Sequence, residues 1–256
     1  MGRWFLGLAV LGSGVLQLAA GEFVRLVPAV PGRPQPGGPA AYLAGALLVA
    51  LGIAIVSGRL ARWAALLLAA LIAGNLLFRS VPLIVVNPVV DHPWLRGFMY
   101  TNPLKQLALI GGALIVLSRL PNEPRLPLLL PRGPRWEAVA AVFLAAFLAV
   151  CGFQHFWYRD FVDTIVPSWI PPGQRFWTYF TGAALLAGGV GILVAATARL
   201  APLLSAGMIF LWVFLVHIPR ALAGPNRVNE AAGIFEALAL SGVALLVAGV
   251  RGSRGT

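Results

Sequence analysis

Charge is scarce in this chain: 11% of its 256 residues are Asp, Glu, Lys or Arg, where a soluble globular domain carries about 25%. So little polar surface could not clothe a folded chain in water, and a soluble fold is excluded. Cysteine is scarcer still. Cys151 stands alone, which excludes an internal disulfide, a CxxC redox pair and a thiolate metal cluster within the chain. Dithiol chemistry would need thiols from a partner. Carboxylates number 8 against 19 Lys and Arg. In a soluble protein that surplus would suggest nucleic acid. Here the arginines lie between apolar runs, where they anchor helix ends at phosphate headgroups, so a nucleic-acid partner is not expected. There is also no hydrolase triad, no phosphate-binding Gly loop and no metal set of recognised spacing. The chain is therefore not expected to be an enzyme on its own, and no catalytic residue or metal ligand is assigned.

What the chain has is apolar length. Hydrophobic residues make up 59% of it, and its mean hydropathy is +0.87. A membrane span needs about 20 mostly apolar residues. Eight segments approach this: Trp4–Ala20, Ala40–Val56, Leu60–Phe78, Leu104–Leu117, Val139–Phe156, Trp177–Ala196, Leu200–Val216 and Ala231–Val250. The fourth reaches span length only if it begins near Met99, with Pro103 in its first turn, where a missing N–H is harmless. The expectation is an all-α membrane protein of eight transmembrane helices. Arg3, the apolar stretch after it and Leu18-Ala19-Ala20-Gly21 imitate a signal peptide. The matching internal segment Val139–Phe156 cannot be one, so the first segment is expected to be retained.

The second half repeats the first. Gly14 through Phe23 resembles Gly152 through Phe161, with Gln17 opposite His155. Tyr42-Leu43-Ala44-Gly45-Ala46 answers Tyr179-Phe180-Thr181-Gly182-Ala183, and Arg59-Leu60-Ala61 answers Arg199-Leu200-Ala201. Ala108 through Leu114 answers Leu238 through Ala244, which sets Gln106 opposite Glu236. Four spans return a chain to its starting side, so the two units are expected to be parallel, related by an axis along the membrane normal. The predicted organisation is a diverged first four-helix repeat over 1–118, a Pro/Arg-rich cytoplasmic linker over 119–135 and a second repeat over 136–256. Five prolines in the linker prevent a helix from crossing it. Short, purely basic turns such as Arg59–Arg62 are expected to place both termini in the cytoplasm.

Unusual residues gather on the opposite side of the second unit. Gly152-Phe153-Gln154-His155-Phe156-Trp157-Tyr158-Arg159-Asp160 closes one span, Val166-Pro167-Ser168-Trp169-Ile170-Pro171 follows, and Phe176-Trp177-Thr178-Tyr179 opens the next. Val216-His217-Ile218-Pro219-Arg220 ends the seventh. Three readings stand open, in falling order of weight. The rings form an interfacial aromatic belt. Or they clasp an apolar ring with polar oxygens, such as a quinone, with His155, His217 or Arg220 donating to an oxygen. Or two imidazoles hold haem, which lacks support from any further ligand. Glu236 is a candidate because a carboxyl inside a span costs several kcal/mol, about 2.5–3.5 on insertion scales, unless it faces protein; Arg220 or Arg227 would be its partner. Lys105 is expected to snorkel outward, and His92 to be solvated. The candidate ligand-binding set is His155, Trp157, Tyr158, Trp169, Trp177, His217, Arg220 and Glu236.

The stretch from Gly152-Phe153-Gln154-His155-Phe156 through Val166-Pro167-Ser168-Trp169-Ile170-Pro171 to Tyr179-Phe180-Thr181-Gly182, with Arg199-Leu200-Ala201 and Val216-His217-Ile218-Pro219-Arg220 later, resembles the DoxX family of bacterial membrane proteins. The resemblance implies a four-span unit over 136–250, with the first half a diverged copy. It also implies an accessory or quinone-associated subunit of a redox system, with a redox partner protein besides the lipid bilayer. The alternative is a membrane transporter or a protein that handles lipid or another small hydrophobic molecule. The oligomeric state is not legible.

Overall fold

The computed structural model describes residues 1–24, 37–86, 92–119, 133–223 and 227–252. Of the linker expected over 119–135, residues 120–132 lie outside the described residues. The described chain is helical: α1 (Gly2–Ala20), α2 (Pro39–Ser57), α3 (Ala61–Asn75), α4 (Val81–Val86), α5 (Pro93–Arg119), α6 (Pro134–Trp157), α7 (Arg159–Ile165), α8 (Gln174–Leu193), α9 (Leu200–Trp212), α10 (Ile218–Ala223) and α11 (Arg227–Gly252). A π-helical turn joins α3 to α4 over Leu76–Ser80, and another joins α9 to α10 over Val213–His217. Each comes just before a proline, Pro82 or Pro219. A proline has no N–H for the carbonyl four residues back and its ring crowds that carbonyl, so the helix widens there.

Among the described residues, seven helices are long and apolar enough to cross a membrane: Gly2–Ala20, Pro39–Ser57, Ala61–Val86, Pro134–Trp157, Gln174–Leu193, Leu200–Ala223 and Arg227–Arg251. This is an all-α, multi-pass membrane protein. The helix expected as the fourth span, α5, is not among the seven. It is 27 residues long, or about 40 Å at roughly 1.5 Å per residue, but Lys105 and Gln106 lower its apolarity. It begins at Pro93 rather than near Met99, so Pro103 lies inside it and not in its first turn. Its half from Lys105 to Leu117 is almost wholly buried. A helix shielded from lipid by protein has less need of an apolar surface.

The helices pack in a closed order. α1 packs on α2, α2 on α3, α3 on α5, α5 on α6, α6 on α8, α8 on α9, α9 on α11, and α11 back on α1. α5 and α11 also meet each other. Small residues set the closest approaches, as helix association in lipid requires. A Cβ on Gly14 would lie 2.7 Å from the Gly45 carbonyl oxygen and 2.7 Å from the Val49 nitrogen. A Cβ on Gly152 would lie 2.7 Å from the Gly182 carbonyl oxygen and 2.7 Å from the Leu186 nitrogen. The α1–α2 and α6–α8 pairs are thus built alike.

Candidate functional site

A cavity of about 1010 Å³ lies in the second half of the molecule. Its walls come from α8 and α9, its back from α6, and its upper rim from α7 and the following loop. The start of α5 contributes Trp94, Phe98 and Thr101. These stand at i, i+4 and i+7, one stripe of a helix. That spacing was available in the sequence, but their loop-like surroundings and their place in the other unit concealed them. The Trp94 ring stacks on Phe161 of α7 with centroids 4.3 Å apart, and the exposed His92 stacks on Trp94 at 5.6 Å. α7 is held down by its own contacts: Arg175 pairs with Asp163 at 2.7 Å, and Thr178 donates to the same carboxylate at 2.6 Å.

No Asp, Glu, Lys or Arg lines the cavity among the described residues. Most polar side chains that do line it have spent their donors on the protein. The single hydroxyl proton of Thr101 is within reach of both Gln154 Oε1 and the Gly97 carbonyl, and Gln154 donates to that same carbonyl. Trp177 Nε1 donates to the Pro171 carbonyl at 2.9 Å, and Thr181 donates to the Trp177 carbonyl. His155 differs. Its Nδ1 lies 2.8 Å from the Cys151 carbonyl oxygen. A carbonyl only accepts, so Nδ1 carries the proton and donates. Its ring also stacks against Trp212 at 6.5 Å. The wall between α8 and α9 is open: Phe180 is 51% exposed, Leu204 65% and Leu211 56%, yet all three line the cavity. The cavity therefore opens sideways, at the level of the apolar helix surfaces.

The structure brings together four of the eight candidates, His155, Tyr158, Trp177 and His217, as cavity-lining residues. It leaves four elsewhere. Trp157 and Trp169 are 69% and 62% exposed and face away. Arg220 clamps Glu230 through two hydrogen bonds of 2.9 and 2.7 Å and donates to the Thr164 carbonyl at 3.1 Å. Glu236 is paired with Lys105 at 2.9 Å. This corrects two expectations. Neither Arg220 nor Arg227 is the partner found for Glu236, and Lys105 does not snorkel outward. With α5 starting at Pro93, Lys105 lies about 18 Å along the helix at roughly 1.5 Å per residue, too deep for its side chain to reach an end.

The corresponding positions of the first half are closed. Gln17, opposite His155, donates to the Ala41 carbonyl at 2.8 Å and accepts from the Val24 N–H at 3.3 Å. Ser80 ends the π turn as His217 ends the other, and it donates to Gln106 at 3.0 Å. Gln106 in turn donates to Asn75 at 2.6 Å.

A polytopic helical membrane protein with an apolar, laterally open cavity is the class these observations define. Residues 1–79 match the DoxX family. Residues 144–251 match a family described as a domain of unknown function (DUF8561). The likeness read from the sequence rested on residues 152–220, whereas the DoxX match falls on the first unit. No curated protein and no solved structure matches the chain.

Proposed function

We propose that this protein is an accessory membrane subunit that holds a quinone-type lipid in the α8–α9 cavity and associates with a redox partner. The observation that carries this reading is the cavity itself: about 1010 Å³, uncharged, aromatic-walled and open toward lipid, with His155 as its polar handle. Apolar walls with a few placed polar groups suit a small hydrophobic ligand. In this reading α5 also crosses the membrane, as the fourth of eight spans, and the chain is two parallel four-helix copies in the bacterial inner membrane with both termini cytoplasmic. The like packing of Gly14 and Gly152 and the two π turns before Pro82 and Pro219 support the duplication. The first copy is structural, since Gln17 and Ser80 are internally satisfied, and it lends α5 to the cavity of the second.

The test is direct. Lipids extracted from protein purified in mild detergent should contain quinone. Added short-tailed quinone should quench the fluorescence of the cavity tryptophans in lipid nanodiscs. His155→Ala and His217→Ala should each weaken binding of the reduced, hydroxyl-bearing form of that probe roughly tenfold, the scale of a lost hydrogen bond. No co-purified quinone together with unchanged affinity in both variants would remove the proposal. A second reading, a carrier of a small hydrophobic molecule, is favoured by the Lys105–Glu236 pair, because intramembrane ionisable groups mark pathways. Proteoliposome flux that falls in Glu236→Gln would support it.

A further inference from the structure

We infer that the cavity is specific for a neutral lipid bearing a hydroxyl donor, and that among quinone-type ligands it holds the reduced, hydroxyl-bearing ring in preference to the oxidised one. This rests on the quinone-type reading for the redox pair, and on His155 alone for the hydroxyl. Because Nδ1 donates to the Cys151 carbonyl, the neutral ring has only Nε2 left, and that atom is an acceptor. No protein donor meets Nε2 among the described residues. Nor is it sealed off: among the described residues the buried side-chain polar atoms without a partner are confined to Arg62, while His155 lines the cavity. The site thus contains an acceptor awaiting a donor.

The remaining polar groups do not reverse this preference. The imidazole of His217 and the hydroxyls of Tyr158 and Ser205 can donate or accept, and the indole N–H groups of Trp94 and Trp212 donate only. A hydroxyl both donates and accepts, so a hydroquinone can satisfy Nε2 and the indoles together. A quinone carbonyl only accepts, and it would leave Nε2 desolvated and unpaired in an apolar chamber. The absence of charge from the lining among the described residues argues against fatty-acid anions and phospholipid headgroups, whose charge would be buried unpaired. The opening between α8 and α9 leaves a tail in the bilayer while the ring sits inside. The first half shows the contrast: Gln17, at the place of His155, has its amide taken by Ala41 and Val24, and so offers no vacancy.

Four probes with the same short isoprenoid tail separate the claims in nanodiscs, anaerobically, by tryptophan quenching: the hydroquinone, its quinone, a redox-inert phenol, and the methyl ether of that phenol. The phenol should bind roughly tenfold tighter than its ether, and the hydroquinone roughly tenfold tighter than the quinone, the scale of leaving one buried group unpaired. His155→Leu should bring both ratios close to one while the ether still binds, no weaker than before, which also shows that the variant is folded. Equal affinity for phenol and ether in the native protein would overturn the inference, even if quinone binds. A phenol preference with no binding of either hydroquinone or quinone would end the quinone reading and leave the hydroxyl assignment standing.

Discussion

Arg62 lies on the first turn of α3, 7% exposed, with Nε and Nη1 buried and unpartnered among the described residues. An unmet buried donor costs about 1–3 kcal/mol. Methionine would fill much of the space of the arginine stem without the orphan donors. Arg62→Met should therefore raise the melting temperature in detergent, and a fall would show that the guanidinium meets an acceptor that the fold alone does not reveal. At this scale the sequence was informative about residue type and poor about direction. His155, Tyr158, Trp177 and His217 stood out by chemistry and do line the cavity. Trp157 and Trp169 had equal chemical claims but face outward, since adjacent residues at a helix end point about 100° apart and a loop has no fixed period. Glu236 was recognisable as a carboxyl that needs a partner. Which partner depended on the depth of Lys105, and so on where α5 begins.

Between elements, the most exacting contact is the Lys105–Glu236 pair that joins α5 to α11, with side chains 10% and 15% exposed. Removing one member of a buried ion pair leaves the other charge uncompensated and costs about 3–5 kcal/mol, whereas replacing both with apolar groups of like volume is often neutral or stabilising. Lys105→Met and Glu236→Leu should each lower the melting temperature sharply, and the double variant should recover most of the loss. A double variant as unstable as the singles would mean that the charges serve packing through other neighbours. Flux in the same variants separates a lock from a pathway: a lock that is stable without charge leaves transport unchanged. The existence of α5 was readable from its apolar run, but its limits were not. Polar residues at Lys105 and Gln106 resemble a helix start when only hydropathy is read, and they fall mid-helix because α5 is shielded by α3, α6 and α11.

Across the whole molecule, the helices close into a ring in which α1 packs on α11 and α6 on α5, with α5 and α11 meeting each other. In this arrangement each half's first helix rests on the other half's last, and neither half is complete alone. The count of crossings decides whether both halves face the same way. If α5 spans, the chain crosses eight times, its two halves are parallel and the upper rim of the cavity lies on the side of His92. If α5 does not span, the second half is inverted relative to the first. Single cysteines in a Cys151→Ser background test this with a membrane-impermeant thiol reagent on intact cells. His92→Cys and Arg135→Cys flank α5 and are both exposed, so they should label from opposite sides, with position 92 reached from outside. A cysteine at Trp169, 62% exposed in the loop after α7, should label together with position 92. Cysteines at Gly58 and Thr197, in the turns after α2 and α8, should label only after the membrane is opened. Labelling of 92 and 135 from the same side would leave seven crossings and make the like packing of Gly14 and Gly152 an inverted repeat. The cavity would still stand under that outcome, because its walls are α6, α8 and α9, but its upper rim would face the other compartment.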